Sequence, residues 1–493
     1  MASADTALPS GDAADGLAIG AKENRVIWLL LAAAFVAILN ETTMGVAIPH
    51  LIEDLQITAL AAQWLTTAFM LTMAVVIPTT GFLLQRFSTR AMFTTAMALF
   101  SFGTLIALAA PGFATLLLGR IVQASGTAIM MPLLMTTLMT VVPVHARGRM
   151  MGRVSIVMSL APAIGPTMAG IVLDNLSWRW IFGIVLPIAV VALVVGARWI
   201  HNLGERSHAP IDILSVVLSA FGFGGLVFGL SQIGAGGQGD VTAAMSILVG
   251  ALVGGGVALL FFLWRQVVLQ RRDDALLDLR IFRSANFSLS VGHFTLMSLA
   301  FFGSLTVLPL FLQGPLGLST TESGLVVLPG AVAMALLGPA IGRIYDHWGT
   351  RVLLVPGTLV VIAVLWWFST LTESTPVWLL IVAQTAFSVG LAMSFTPLFT
   401  ASLGSLEPHY YSYGSAAVST VQQVAGAAGV AMLISVMSSV SASATGVTEI
   451  AAAAAGARAA FLLAATASLP LLVSAFLIRK PADGSPGAVA HAH

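Results

Sequence analysis

The sequence predicts an all-helical integral membrane protein, and two observations carry this prediction. The 493 residues have a mean hydropathy of +0.97, with 58% hydrophobic and only 8% charged residues, and no water-soluble fold can bury so much apolar surface. Apolar runs of about 20 residues, long enough to cross a bilayer as a helix, recur from Val26 to Ile478. Lipid offers backbone groups no hydrogen-bond partner, and the runs are too long for barrel strands, so a helical bundle is predicted.

The apolar runs predict about fourteen transmembrane helices with approximate boundaries. These lie at 26–48, 61–83, 91–110, 113–135, 150–172, 180–199, 211–231, 243–267, 286–312, 321–342, 351–371, 376–402, 413–437 and 457–478. Acidic residues precede the first run, whereas a signal peptide begins with cations, so residues 1–25 are predicted to be a disordered tail.

The cations predict the orientation of the chain. If the N-terminus is cytoplasmic, almost every Arg and Lys falls on the inside, as the positive-inside rule requires. Arg179 and Arg458 are then outside, and Arg120 is within a helix. We therefore predict a multi-pass protein of the inner (cytoplasmic) membrane with both termini cytoplasmic. Its net charge of +1 is scattered along the chain, and nucleic acid is not an expected partner.

An internal repeat predicts the domain organisation. The segment GFLLQRFSTR, from Gly81 to Arg90, is matched by GRIYDHWGTR, from Gly342 to Arg351. Both follow a helix that enters from the same side, which is the arrangement of two parallel six-helix repeats. The predicted parts are a tail (1–25), an N-terminal half (26–200), an inserted helix pair (201–270), a cytoplasmic connector (271–285), a C-terminal half (286–478) and a C-terminal tail (479–493).

Several stretches resemble motifs of the 14-span drug:proton antiporters of the major facilitator superfamily. ILNETTMGVAIPHL (38–51) resembles the first-helix signature, the two loop segments resemble the cytoplasmic loop motif, RIVQASGTA (120–128) resembles the helix-four arginine motif, and APAIGPTMAG (161–170) resembles the helix-five antiporter motif. WRWIF (178–182) and ALLDLRIF (275–282) are further similar stretches.

The resemblance covers nearly the whole chain and implies a function. It implies a secondary transporter, functional as a monomer in the lipid bilayer, that exports lipophilic or cationic drug-like compounds in exchange for protons. Its energy source is then the proton gradient, with no cofactor and no enzyme activity.

The chain departs from the family pattern at informative positions. Asn40 stands where the first helix usually has an acid, and Glu41 follows one position later, about 100° further around a helix. Gln85 stands where the first loop motif usually has an acid, whereas the second copy keeps Asp346. Ala124 and Ala169 replace glycines of the helix-four and helix-five motifs.

Glu41 and Arg120 are the predicted proton-coupling pair. An ionisable group at membrane depth is costly, so it is expected to face a cavity or a partner and to mark an ion pathway. Each lies eight residues from an expected helix end, Pro49 or Gly112, and thus about 12 Å below the outer surface. The alternatives are that Glu41 only bonds to a neighbouring helix and that Arg120 only holds backbone carbonyls or snorkels outward.

The two loop motifs are predicted to form an inner gate. Asp346 is expected to favour the start of the following helix, while Arg343 and Arg351 bind across the seam between helices. A purely topogenic role for these arginines remains an alternative. The predicted gating residues are Gly81, Gln85, Arg86, Arg90, Gly342, Arg343, Asp346, Gly349 and Arg351.

Gly165, Pro166 and Gly170 form the predicted antiporter motif of the fifth helix. The resemblance links this motif to export, whereas on physical grounds alone it is a kinked packing surface. Glu322 is a second candidate proton site, but Ser319 three positions earlier favours a helix capping box. The candidate substrate-cavity residues, for which packing is the alternative, are Asn40, Met44, Gln63, Gln123, His293, Met297 and Phe301.

The sequence also excludes other classes of protein. A phosphate loop GxxxxGK[ST] is absent, as are HExxH and GxSxG motifs and any cysteine, which argues against an ATP-driven pump and a membrane-embedded enzyme. One intramembrane acid suits lipophilic or monocationic substrates better than sugars, which need many hydrogen-bonding side chains. An exporter of an endogenous metabolite, lipid or antibiotic, or an uptake symporter, remains the rival prediction.

Overall fold

The computed structural model describes residues 20–202, 212–235, 241–444, 446 and 448–481. Most of both predicted tails therefore lies outside the described residues. Helices and short 3-10 turns make up the regular structure of the described ranges. The helices are α1 (Ala21–Leu55), α2 (Ala59–Arg86), α3 (Thr89–Leu108), α4 (Phe113–Val141), α5 (Arg147–Asn175), α6 (Arg179–Trp199), α7 (Ile213–Ala235), α8 (Val241–Leu269), α9 (Ala285–Gln313), α10 (Thr320–Trp348), α11 (Arg351–Phe368), α12 (Val377–Gly404), α13 (Tyr411–Ser443), α14 (Glu449–Ala467) and α15 (Pro470–Leu477).

The number of spans agrees with the prediction. Fourteen segments of the described chain are long and apolar enough to cross a membrane, with α14 and α15 together forming the last one. An even number of crossings brings the start of α1 and the end of α15 to the same end of the bundle. We call this the termini end, and the other the far end.

The two helix boundaries that differ most from the sequence prediction are the end of α1 and the start of α14. Helix α1 continues through Pro49 to Leu55. A proline within a helix crowds the carbonyl four residues before it, here that of Gly45, whose Cβ position has nothing within 4 Å. Helix α14 begins at Glu449 rather than 457, because its first turns are an alanine run of high helix propensity and modest hydropathy. Arg458, predicted to lie outside the membrane, is therefore within the last span.

Helix packing repeats along the chain. Helix α3 packs on α4 and α6, α2 packs on α4, and α1 packs on α4, α5 and α6. In the same pattern, α11 packs on α12 and α14, α10 on α12, and α9 on α12, α13 and α14. We call α1–α6 the N-terminal unit, α9–α15 the C-terminal unit and α7–α8 the inserted pair; their independence as domains stays a prediction.

Two helix seams join the units. In the α5–α10 seam the backbones touch at glycines, because a methyl group on Gly342 would overlap the carbonyl of Gly148 and one on Gly152 would overlap that of Gly338. In the α2–α13 seam, a Cβ on Gly81 would lie 3.1 Å from the Tyr413 ring. All of these residues lie in the termini-end halves of their helices, so the bundle is closed at that end.

Candidate functional site

Arg120 is the largest fully buried side chain of the described residues, with 1% of its surface exposed. It lies two turns into α4, where its Nη1 donates hydrogen bonds to Asn40 Oδ1 (3.1 Å) and Gln123 Oε1 (2.7 Å). The guanidinium also stacks over Phe69 of α2, 4.1 Å from the ring centroid. Three helices therefore hold a permanent cation in the interior of the N-terminal unit.

The hydrogen bonds of Arg120 continue to a helix outside the predicted site. Gln123 Nε2 donates to Thr104 Oγ1 of α3 (2.7 Å). Thr104 in turn donates to the carbonyl of Phe100 in the same helix (2.6 Å). Gln123 and Thr104 are fully buried. Asn40, Arg120, Gln123 and Thr104 thus form one chain across α1, α4 and α3. Sequence reasoning placed Gln123 in the substrate cavity and did not identify Thr104.

Glu41 lies beside this chain but is not part of it. Its side chain is partly exposed, and its charge interacts with that of Arg120. No hydrogen bond or salt bridge within 4.0 Å joins Glu41 to Arg120, both of which are described residues. The neighbouring Asn40, fully buried, takes the position of direct partner. Glu41 is therefore held near a cation without being neutralised by a direct contact.

Gly165 sets the distance between α5 and the segment of α1 that carries Glu41. A Cβ on Gly165 would overlap Thr42 Oγ1 and would lie 3.1 Å from the carbonyl of Leu39. Pro166 follows within α5, whereas nothing lies within 4 Å of a Cβ on Gly170. Of the three predicted motif residues, Gly165 makes the close helix contact.

Asp346 joins the two units at the termini end. Its Oδ1 accepts a hydrogen bond from the backbone N–H of Gly148 (2.7 Å), and its Oδ2 accepts one from that of Arg149 (2.8 Å). The carboxylate therefore caps the start of α5, whose first N–H groups have no helical partner. The expectation that Asp346 acts on the following helix, α11, is wrong, because the crossing of α10 and α5 brings the other helix start closer.

The other predicted gating residues differ in what they contact. Gln85 crosses to the C-terminal unit, where its Nε2 donates to the carbonyl of His409 (2.7 Å), just before α13. Arg343 is exposed and bonds within its own helix, to the carbonyl of Pro339 (3.4 Å). Gly349 has φ 80°, which makes a side chain unfavourable at this turn. The remaining three, Arg86, Arg90 and Arg351, lie at the termini ends of α2, α3 and α11.

Arg147 is a cross-unit residue that sequence reasoning did not single out. It is buried, and its guanidinium donates to the carbonyls of Met139 (2.7 Å) and Val142 (3.2 Å) at the end of α4. The same guanidinium donates to Tyr411 Oη of the C-terminal unit (3.2 Å). The only sequence signal was its place among the cations of RGRMMGR. The positive-inside rule already accounts for those cations, so the sequence offered no reason to expect a bonding partner for Arg147.

The remaining cavity candidates differ in exposure. Met44 and Met297 are fully buried in apolar clusters, and His293 is buried with its Nδ1 2.8 Å from Ser474 Oγ. Phe301 is half-buried, with its ring 4.9 Å from that of Phe302. Gln63 is exposed near the far end of α2. Their assignment to a substrate cavity stays a prediction.

Comparison with known proteins identifies relatives along most of the chain. The family model described as Major Facilitator Superfamily matches residues 30–430. An uncharacterized MFS-type transporter, YcnB of Bacillus subtilis (strain 168), is 41% identical over 456 residues, 92% of this chain and 95% of YcnB. The lincomycin resistance protein LmrB of Listeria monocytogenes (serovar 1/2a, strain ATCC BAA-679 / EGD-e) is 37% identical over 81% of this chain and 83% of its own. The crystal structure of the human organic anion transporter MFSD10 shares the fold, with a TM-score of 0.67 at 15% identity over 92% of this chain and 99% of its own.

Proposed function

Because this chain belongs to the major facilitator superfamily, and is therefore a transporter and not an enzyme, we propose that it exports lipophilic or cationic drug-like compounds in exchange for protons. Such a transporter needs no cofactor. In this proposal the protein lies in the cytoplasmic membrane with its termini end facing the cytoplasm. The name of the lincomycin resistance relative supports a drug as the cargo.

The observation that carries the proposal is the separation of Glu41 from the direct partners of Arg120. Arg120 donates its hydrogen bonds to the neutral side-chain oxygens of Asn40 and Gln123, so neither bond needs the charge of Glu41. Glu41 can then lose or gain a proton, or exchange the proton for a cationic substrate, without dismantling the buried network. Arg120 supplies the electrostatic bias that favours release of the proton.

Transport requires the two units to open at the termini end. The cross-unit bonds of Asp346, Gln85 and Arg147 would break in that movement, and they would form again before the substrate is released at the far end. The energy is sufficient, because one charge crossing a potential of 100 mV releases about 2.3 kcal/mol. One membrane-depth acid beside apolar helices suits a lipophilic or monocationic cargo.

The proposal is tested by Glu41→Gln in vesicles loaded with a fluorescent lipophilic cation such as ethidium. We expect an imposed pH gradient to drive efflux through the unmodified chain and none through Glu41→Gln. The matched control is Glu322→Gln, because Glu322 is exposed and engaged in a capping box with Ser319. Proton-dependent efflux at full rate from Glu41→Gln would remove Glu41 from the mechanism.

The cargo is tested separately by expression in a drug-sensitive bacterial host. A panel of dyes, biocides and antibiotics that includes lincomycin should show reduced susceptibility if the cargo is drug-like. Unchanged susceptibility across the panel would instead favour an endogenous metabolite, lipid or antibiotic, and accumulation of the compounds would reverse the direction to uptake.

A further inference from the structure

The two seams between the units are built differently. Helices α5 and α10 meet backbone to backbone, through Gly148 and Gly152 on one side and Gly338 and Gly342 on the other. In the equivalent α2–α13 seam, Gly81 faces the ring of Tyr413 instead. A Cβ on Gly81 would also lie 3.2 Å from the Tyr413 Cα, whereas one on Gly342 would lie only 2.0 Å from the carbonyl oxygen of Gly148, so the α2–α13 seam is the wider of the two at these contacts.

Helix α7 packs against both helices of the wider seam, α2 and α13. A Cβ on Gly224 of α7 would lie 3.2 Å from Val75 Cγ2 and 3.4 Å from Leu71 Cδ1 of α2. Nearer the far end, Trp64 of α2 stacks on Phe228 of α7 with ring centroids 5.8 Å apart. Among the described helices, α12 of the C-terminal unit and the short 3-10 helix Val144–Ala146 at the termini end contact both α5 and α10. Neither belongs to the inserted pair, so the pair packs over the α2–α13 seam and not over the α5–α10 seam.

Polar contacts fasten the inserted pair to the connector at the termini end. Within the pair, Arg265 of α8 makes a bidentate bond to Asp212, the residue before α7 (2.7 and 2.8 Å). The adjacent Gln266 is fully buried, and its Oε1 accepts hydrogen bonds from the backbone N–H groups of Leu276 (2.8 Å) and Leu277 (3.1 Å) in the connector. Buried backbone groups bonded in this way fix the connector to α8.

The connector is in turn fixed to the C-terminal unit. Tyr413 Oη of α13 donates to the carbonyl of Ala275 (3.2 Å), and Ser284 Oγ bonds to Ser405 Oγ at the end of α12 (3.2 Å). The contacts of α7 with α2 at Val75, Leu71 and Trp64 are apolar. Apolar contacts are non-directional and can slide, whereas the polar contacts to the C-terminal unit are tied to one geometry.

We propose that the inserted pair moves with the C-terminal unit and covers the α2–α13 seam, so that cargo dissolved in the bilayer reaches the interior only between α5 and α10. This proposal rests on the proposed export of lipophilic compounds. Both helices of that seam carry exposed apolar side chains, among them Ile171 of α5 and Leu336 of α10, which are 62% and 75% exposed. A lipophilic compound can partition onto such a surface from the lipid.

The movement is tested by disulfide cross-linking, for which the absence of native cysteines gives a clean background. Val75→Cys with Gly224→Cys links α2 to α7, and the matched control, Ser284→Cys with Ser405→Cys, links two parts of the moving unit. We expect oxidation to abolish efflux in the α2–α7 pair, with recovery on reduction, and to leave the control pair active. Should the reduced α2–α7 pair fail to transport, Trp64→Cys with Phe228→Cys replaces it. Full efflux from an oxidised α2–α7 pair would overturn the proposal.

The entry route is tested by photolabelling with an aryl-azide derivative of a lipophilic cation partitioned into proteoliposomes. We expect adducts on lipid-facing residues of α5 and α10, and additional adducts on α2 and α13 once Gln266→Leu has loosened the cover. Adducts on α2 and α13 of the unmodified chain would refute the one-sided route. If the proposed export is wrong, the unmodified chain shows no efflux in the vesicle assay above. If only the entry route is wrong, efflux is still observed and only the positions of the photolabel differ from those expected.

Discussion

At the scale of single residues, the interior of the N-terminal unit separates a fixed cation from an acid that can change its charge. Arg120 donates hydrogen bonds to two neutral partners, and the charge of Glu41 interacts with that of Arg120 without a bond between them. This arrangement requires the guanidinium of Arg120 to stay in place. The hydrogen bond from Gln123 to Thr104, which we call the Gln123 relay, holds the side chain that accepts from Arg120.

The relay predicts the effect of two substitutions on transport. Gln123→Leu removes the 2.7 Å acceptor of Arg120, and a buried donor left unpaired costs about 1–3 kcal/mol, so we expect a large loss of pH-driven efflux. Thr104→Val removes only the support of Gln123 and should cost less. Efflux rate and thermal stability in detergent are the measurements, with Thr95→Val, an exposed threonine of the same helix, as control. Equal efflux from Gln123→Leu and the unmodified chain would contradict this role.

Gly165 predicts a steric effect next to Glu41. Gly165→Ala drives a methyl group into Thr42 Oγ1, so α5 must move away from α1 and efflux should fall. Adding Thr42→Ala removes the clashing oxygen and should restore part of the rate. Gly170→Ala, where the site is open, should transport normally. The prediction is wrong if Gly165→Ala and Gly170→Ala behave alike.

At the scale of elements, the proposed gate is a set of helix ends bound by groups from the opposite unit. Asp346 caps the start of α5, and Arg147 joins the end of α4 to Tyr411 of α13. Sequence reasoning identified the motif that carries Asp346 but not the helix it caps. Gly148, at the start of α5, lies 198 positions from Asp346 in the chain. The contact depends on how α5 and α10 cross, which cannot be predicted from the local sequence around either residue.

If Asp346 holds the termini end closed, its removal should make the interior more accessible to water-soluble reagents. Asp346→Ala removes the cap of α5 and should shift the population toward opening at the termini end. The measurement is the labelling rate of Ser155→Cys, a buried position that bonds to Thr396 across the units, by a water-soluble maleimide. Arg343→Ala, which removes an exposed side chain bonded within its own helix, should leave the rate unchanged. Equal labelling rates in both backgrounds would argue against Asp346 as a latch.

The ion pair between Asp212 and Arg265 in the inserted pair leads us to expect that the stability of the protein depends on pH. Hydrogen bonds from Arg265 lower the pKa of Asp212, just outside the first span of the pair, from 3.8 to about 2. A depressed folded-state pKa means that the stabilisation is full above the unfolded value and is lost as the pH falls from about 4 toward 2. Asp212→Asn should therefore lower the melting temperature by a constant amount between pH 5 and 9, with the difference shrinking under acid. A difference that disappears near neutral pH would contradict the pairing.

At the scale of the whole molecule, hydropathy was enough to predict fourteen spans, because it depends on composition over long windows. The orientation, from the cations, and the parallel repeat, from the loop motifs, stay predictions. Windows of this kind could not locate the start of α14, where alanine gives helix without strong hydropathy, and so misplaced Arg458. They also could not reveal that α7 lies over only one seam, because α2 and α13 are far apart in the chain.

The number of chains that transport requires is also a property of the whole molecule. The proton and cargo pathway proposed above is contained within a single chain, so we expect a monomer to be sufficient for transport. Light scattering of the detergent-solubilised protein should give one chain per particle, and vesicles reconstituted with no more than one copy should retain pH-driven efflux. Efflux that appears only at two or more copies per vesicle would show that the chain needs a partner.

The glycine contact between α5 and α10 has an energetic consequence for the speed of the cycle. Main-chain atoms make that contact, so closing it immobilises no rotamer-rich side chain, each of which would otherwise cost up to about 2 kcal/mol of conformational entropy. The closed and open forms can then differ by little free energy, and the passage of one proton is enough to tip the balance between them.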